Sequence, residues 1–113
     1  MECNNLDESY QDQLIKRLII NLLDIHLLRI LQKEPLWGYK IKKFIETTYG
    51  IKIRHSILYP TLNELEKNGF LYSQKKTKSG RVRKVYKITE KGKKYIESYY
   101  YILNDQIHDK DLI

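Results

Sequence analysis

The sequence predicts a mainly α fold with a small β-hairpin, forming one domain over residues 1–113. Three stretches carry this expectation. Arg54 to Gly69 has leucines at helical spacing backed by a polar face, and two short alternating segments follow it around a basic turn. Apolar-rich segments stand at both ends of the chain. A chain of 113 residues buries one modest core, so stability shared with a partner subunit is expected.

Residues 1–8 read as a frayed end, and Ser9 followed by Asp12 resembles a capping box that starts a helix near Tyr10. The helix is expected over 10–34, because Pro35 disfavours helical geometry in the residue before it. Its apolar residues, from Leu14 to Leu31, cover more than one face, which requires cover on two sides. The second cover is assigned to another subunit, through Leu18, Leu22 and Ile25.

A second helix is expected from Gly38 to Thr48, closed by Tyr49-Gly50. Ile41, Phe44, Ile45 and Thr48 share its inner side, and Lys40, Lys42 and Lys43 spread over the other as a solvated face or as phosphate contacts. Ile51-Lys52-Ile53 alternates and reads as a small strand. In the next helix Leu58, Leu62 and Leu65 form the inner stripe, while Ser56, Pro60, Asn63 and Lys67 gather opposite with Tyr59 on the flank. Ser56 is the expected N-cap. Pro60 conflicts with it, having no N–H, so the first turn is irregular or the helix starts later.

Asn68-Gly69 ends that helix. Strands are expected at Phe70–Gln74 and Val82–Ile88, with a polar turn over 75–81 that carries four positive charges. Thr89 then caps a final helix over 89–108, whose stripe includes Tyr95, Ile96, Tyr99, Ile102, Leu103 and Ile107. Tyr95, Tyr99, Ile102 and Leu103 are assigned to the dimer surface.

The net charge of +7 is unevenly spread. Residues 37–94 hold sixteen basic and four acidic side chains, a balance of +12, whereas residues 1–36 come to −2 and residues 95–113 to −3. The middle therefore suits a polyanion and the ends do not.

The order helix, helix, short strand, helix, hairpin, helix is that of a winged helix-turn-helix, with its DNA-binding part over 36–92, and the third helix of such a module enters the major groove of double-stranded DNA. Ser56, Tyr59, Thr61 and Asn63 are the base-reading candidates, Asn63 matching the paired donor and acceptor of adenine. Lys67 falls further along, towards a phosphate. Lys75, Lys76, Lys78, Arg81 and Arg83 equip the wing for flanking phosphates, with Arg81 assigned to a narrow minor groove. Tyr39, Lys40 and Lys43 on the second helix, with Arg54 and His55 ahead of the third, complete the DNA-facing set.

Three segments, Leu36-Trp-Gly-Tyr-Lys-Ile41, Ser56 to Gly69 and Arg81 to Gly92, resemble the PadR family of transcriptional regulators. The shared pattern is Gly38-Tyr39, then Leu58-Tyr59-Pro60-x-Leu62, then Arg83-x-x-Tyr86-x-Ile88-Thr89-x-x-Gly92. The resemblance implies a homodimeric repressor, often autoregulatory, that releases DNA when a small aromatic or apolar effector binds. The chain departs from the family in two places. Its C-terminal region is one short helix, as in the compact branch, and Trp37 stands where histidine is frequent.

No Ser-His-Asp, Cys-His, paired-carboxylate or phosphate-loop arrangement stands in a context that supports catalysis. Cys3, His26, His55 and His108 are scattered singly, so neither a metal nor another cofactor is expected. A polar, acidic start, one cysteine and a first apolar stretch broken by charges predict a cytoplasmic chain that does not enter a membrane. The alternative on the same basic surface is an architectural protein that coats DNA without sequence preference.

Overall fold

The computed structural model describes residues 7–108, which fold into five helices and a three-stranded antiparallel sheet. Two helices, α1 (Glu8–Asn21) and α2 (Leu23–Leu31), stand where one was expected over 10–34. The chain bends at Leu22, with φ −116° and ψ 36°, although the His26 N–H still reaches the Leu22 carbonyl at 3.0 Å. Packing explains the bend. Ile19 is the buried residue of α1, whereas seven of the nine residues of α2 are buried, so α2 is the central core helix and α1 lies across its end.

The start of α1 also differs from the capping box expected at Ser9 and Asp12. Asp7 is the cap, its carboxylate accepting from the Ser9 N–H at 2.8 Å and the Ser9 hydroxyl at 2.7 Å. Asp7 and Glu8 are thus ordered parts of the helix start. The rest of the expected frayed end, with Cys3, falls outside the described residues.

Strand β1 (Leu36–Trp37) leads into α3 (Gly38–Tyr49), and an irregular link connects α3 to α4 (His55–Lys67). The small strand expected at Ile51–Ile53 is not formed. Ile51 and Ile53 are instead buried plugs beneath the turn, so their alternation reflects burial without a sheet partner. The third strand comes from β1, too short to show a period. It pairs with the outer side of β3 (Arg81–Ile88), Leu36 opposite Tyr86 and Trp37 opposite Val85, while β2 (Leu71–Lys78) takes the other side.

The hairpin is longer and its turn tighter than expected. Ser79 and Gly80 alone make the turn, with φ 55° and 77°, the left-handed pair that matches the twist of a two-residue hairpin. Lys75, Lys76 and Lys78 therefore lie on a strand. Lys76 and Lys78 face Arg83 and Arg81 across the ladder, and Lys75 faces Lys84 on the opposite surface.

The leucine stripe of α4 enters the core as expected: Leu58, Leu62 and Leu65 join Leu27, Leu28, Leu31, Ile41, Ile45, Leu71, Tyr86 and Ile96. On α3 only Ile41 and Ile45 of the expected inner set are buried, since Phe44 and Thr48 turn outward. Thr89 caps α5 (Glu90–His108), donating its hydroxyl to the Gly69 carbonyl at 2.7 Å and accepting from the Gly92 N–H at 3.0 Å.

His26 is buried among the leucines of α2, its ring edge-on to Tyr49 and its Nδ1 3.5 Å from Arg29. Burial pushes its pKa down and the Arg29 charge adds to this, against a smaller opposing pull from Asp24. The unfolded chain, with a histidine pKa of about 6.5, therefore takes up the proton first as pH falls. Stability is present above about pH 6.5 and is lost as pH falls towards the folded-state value. Urea midpoints measured from pH 7.5 to 5 should drop more steeply for the native chain than for His26→Gln; parallel curves would show that His26 does not drive the loss.

Candidate nucleic-acid interface

Helix α4 sets the site. At about 100° per residue, Ser56, Tyr59, Asn63 and Lys67 share one sector opposite the buried leucines. The helix runs unbroken through Pro60, which has no N–H to give the Ser56 carbonyl, and its opening turn is tightened by the N–H groups of Ile57 and Leu58, which both bond the Arg54 carbonyl at 3.0 Å. Arg54, not Ser56, occupies the cap position, and no side chain caps the end. Ser56 is left exposed on the first turn.

Thr61 faces away from the other base-reading candidates. It lies about 160° around the helix from Asn63, its hydroxyl is committed to the Ile57 carbonyl at 2.8 Å, and it borders a hollow shared with Asp24 and Glu64. The helical angle alone could have excluded it.

Tyr59 is held from two sides. Its ring stacks on His55 with centroids 5.4 Å apart and planes 4° from parallel. It also rests on the first residue of α3, where a Cβ added to Gly38 would stand 2.6 Å from both Cε1 and Oη of the ring. The Gly38-Tyr39 pair thus has a physical basis: glycine admits Tyr59, and the next residue begins the exposed side of α3. Tyr39 is exposed there, with Lys43 Nζ 5.8 Å from its ring centroid.

These contacts shape a groove of about 400 Å³ between the start of α3, α4 and β3, lined by Trp37, Tyr39, Tyr59, Asn63, Arg83 and Lys84. The structure therefore brings Tyr39, Tyr59, Asn63 and Arg83 together. Lys76, Lys78 and Arg83 edge an adjoining hollow on the wing, and Arg81 stands beside the hairpin tip. Lys40, Lys43, Arg54, His55 and Lys67 are exposed around this surface.

Some contributors were not among the expected residues. Lys84 bonds Glu66 at 3.3 Å, and Glu66 also accepts from the Ser73 hydroxyl, so α4 is tied to both strands of the wing. The Ser73 bond first, then Lys84, holds the Glu66 carboxyl below its usual range. Only the fold reveals this tie, because Glu66, Ser73 and Lys84 carry no spacing signal.

The residues assigned to dimer contact divide. Leu18, Tyr95, Ile102 and Leu103 are exposed, and Leu22 and Tyr99 are partly covered. Ile25 is 5 % exposed and packs within the chain, since α2 lies in the core, so it has little surface to offer a partner.

A helix pair followed by a hairpin that extends its exposed face defines a winged helix-turn-helix protein. The profile described as the Transcriptional regulator PadR-like family matches residues 27–98, and the chain belongs to that family of transcriptional regulators. A transcriptional regulator from Mycobacterium tuberculosis is 40 % identical over 45 residues, which is 40 % of this chain and 42 % of that protein, so the match spans less than half of that relative. Among solved structures, a transcriptional regulator from Clostridium thermocellum superposes with a TM-score of 0.67 and 29 % identity, covering 80 % of this chain and 92 % of that one. A PadR family regulator from Eggerthella lenta gives 0.67 and 28 %, covering 89 % and 94 %. PadR from Bacillus subtilis, in complex with operator DNA, gives 0.65 and 27 %, covering 70 % and 46 %.

The close approach at Gly38 yields a direct expectation. Gly38→Ala should destabilise the fold by about 1–3 kcal/mol through overpacking against the Tyr59 ring. In a double-mutant cycle read from urea midpoints, Gly38→Ala with Tyr59→Ala should cost less than the sum of the two changes; strict additivity would show that the ring is not what Gly38 accommodates.

Proposed function

We propose that this chain is a repressor that binds a pseudo-palindromic DNA operator as a homodimer. The observation that carries the reading is the continuity of two surfaces: the groove of Tyr39, Tyr59, Asn63 and Arg83 runs directly into the basic wing. Asn63 and Tyr59 meet base edges in the major groove, Ser56 and Lys67 meet the backbone, and the wing neutralises flanking phosphates. The similarity to PadR of Bacillus subtilis, whose structure holds operator DNA, supports this assignment.

The dimer is inferred from exposed apolar surface. Leu14, Leu18, Tyr101, Ile102 and Ile107 are each more than half exposed, and they lie on α1 and on the C-terminal half of α5. The Cα radius of gyration is 16.1 Å, against about 13 Å for a compact domain of this length. Such projecting apolar helices are suited to burial against a two-fold mate, which would place two copies of α4 about 34 Å apart, one turn of DNA. An open hollow of about 250 Å³ lined by Phe44, Tyr49 and Tyr100, with a polar side formed by Arg29, Gln32, Lys33 and Glu34, is the candidate place for a small apolar or aromatic effector. Its walls come from α2, α3 and α5, so an occupant would act where the DNA-facing helices meet the dimer helix.

One titration series tests the reading. Duplex from the gene's own promoter should bind at least about 1,000-fold more tightly than random duplex at physiological salt, with two chains per duplex by sedimentation. Asn63→Ala should erase discrimination, whereas Lys78→Ala should weaken all duplexes alike and lower the salt slope by about one. Equal affinities would favour the architectural alternative, and one chain per duplex would remove the dimer.

A further inference from the structure

Trp37 is the chain's single tryptophan, and it stands between two hollows. On one side lies the groove that holds Tyr59 and Asn63; on the other, a hollow of about 330 Å³ is floored by Pro35 and Val85 and rimmed by Lys76, Lys78 and Arg83. Trp37 and Arg83 line both. Three cations gather over the indole: the guanidinium carbon of Arg83 is 4.7 Å from the ring centroid, Lys78 Nζ 5.3 Å and Lys40 Nζ 5.6 Å.

Those cations come from three separate elements, Lys40 from α3, Lys78 from β2 and Arg83 from β3, while the indole itself belongs to β1. Among the described residues none of the three pairs with a carboxylate; the ion pairs formed there use Lys42, Lys84 and Lys93. Like charges assembled around one ring repel one another, and each cation's attraction to the ring offsets this by only about 0.5–2 kcal/mol. The indole N–H is buried and has no acceptor among the described residues. The three cations therefore form a positively charged cluster with no carboxylate partner among the described residues.

We propose that Trp37, Lys40, Lys78 and Arg83 form one site for the phosphodiester backbone of duplex DNA, at the point where a strand passes from the groove read by α4 to the groove met by the wing. Trp37 is the positioning residue of this site. Its ring holds three cations from different elements in one array, so that successive phosphates meet a fixed pattern rather than three independent mobile chains. The assignment rests on the DNA-binding reading above, and it adds a sequence-independent grip between the two elements already described.

The sole indole makes the test direct. Intrinsic fluorescence of the full chain and anisotropy of labelled duplex are followed together in titrations with promoter and random DNA. Emission should change with both duplexes and saturate with the anisotropy. Trp37→Leu should weaken both duplexes by about tenfold and reduce the salt slope by one or more, on the order of one for each phosphate no longer neutralised. Trp37→Tyr should restore most of the affinity. Lys40→Gln, on an exposed side chain that leaves the fold intact, should weaken native binding but add little on top of Trp37→Leu.

Duplex binding with unchanged emission, or an unchanged salt slope in both Trp37→Leu and Lys40→Gln, would overturn the proposal while leaving DNA binding in place. An emission change with inorganic phosphate but not with duplex would overturn it too, by assigning the site to a free anion. Failure of the native chain to bind any duplex would overturn the DNA-binding reading and this site with it.

Discussion

The carbonyl of Phe70 fixes how the two halves of the molecule meet. It accepts the Thr89 N–H at 3.1 Å, and a Cβ added at Gly92 would stand only 2.3 Å away from it. The Phe70 N–H bonds back to the Leu65 carbonyl at 2.9 Å, closing α4 through Gly69 in the left-handed region at φ 82°. The hairpin therefore leaves and returns at one point, where α4 ends and α5 begins. Without a glycine at 92, α5 could not approach that carbonyl, and the wing, the reading helix and the C-terminal helix would have no common anchor.

Electrostatics and burial then divide the surface. Side chains of one sign are placed opposite one another on the wing, Lys76 with Arg83 and Lys78 with Arg81, an arrangement that costs stability in isolation. Such a cost is balanced when phosphates arrive between them. The outer helices differ, with exposed Leu14, Leu18, Ile102 and Ile107 and basic residues balanced by acidic ones on each helix. Basic and apolar surface are thereby kept largely apart on a small domain. No helix among the described residues is long and apolar enough to cross a membrane, so the apolar faces of α1 and α5 are not spans.

Local spacing made much of this legible in the sequence. The leucines of α4, the closing Gly69, the Thr89 cap and the segregation of charge are all features of short range or composition, and the fold follows them. Features that depend on a distant partner were not legible. Ile51 and Ile53 alternate like a strand but meet no ladder, whereas Leu36 and Trp37 pair with β3 while showing no period. The outer half of β2, from Lys75 to Lys78, is mostly lysine and reads as a turn, so the wing was expected to be shorter, even though Ser79-Gly80 marks its turn. The bend at Leu22 follows the packing of α2 and has no glycine or proline to announce it. At the site, Thr61 shares the polarity of the base-reading set but not its angle, and the tight approach of Gly38 to Tyr59 emerges only when α3 and α4 are docked.

One continuous surface, from the start of α3 across α4 to the wing, is thus assigned to DNA. The decisive measurement is backbone amide mapping by nuclear magnetic resonance on addition of an operator-length duplex from the gene's own promoter. Perturbation is expected at residues 37–43, 54–67 and 75–84, strongest at Tyr59, Asn63 and Arg83. Perturbation confined to α1 and α5, with those three residues unmoved, would contradict the assignment.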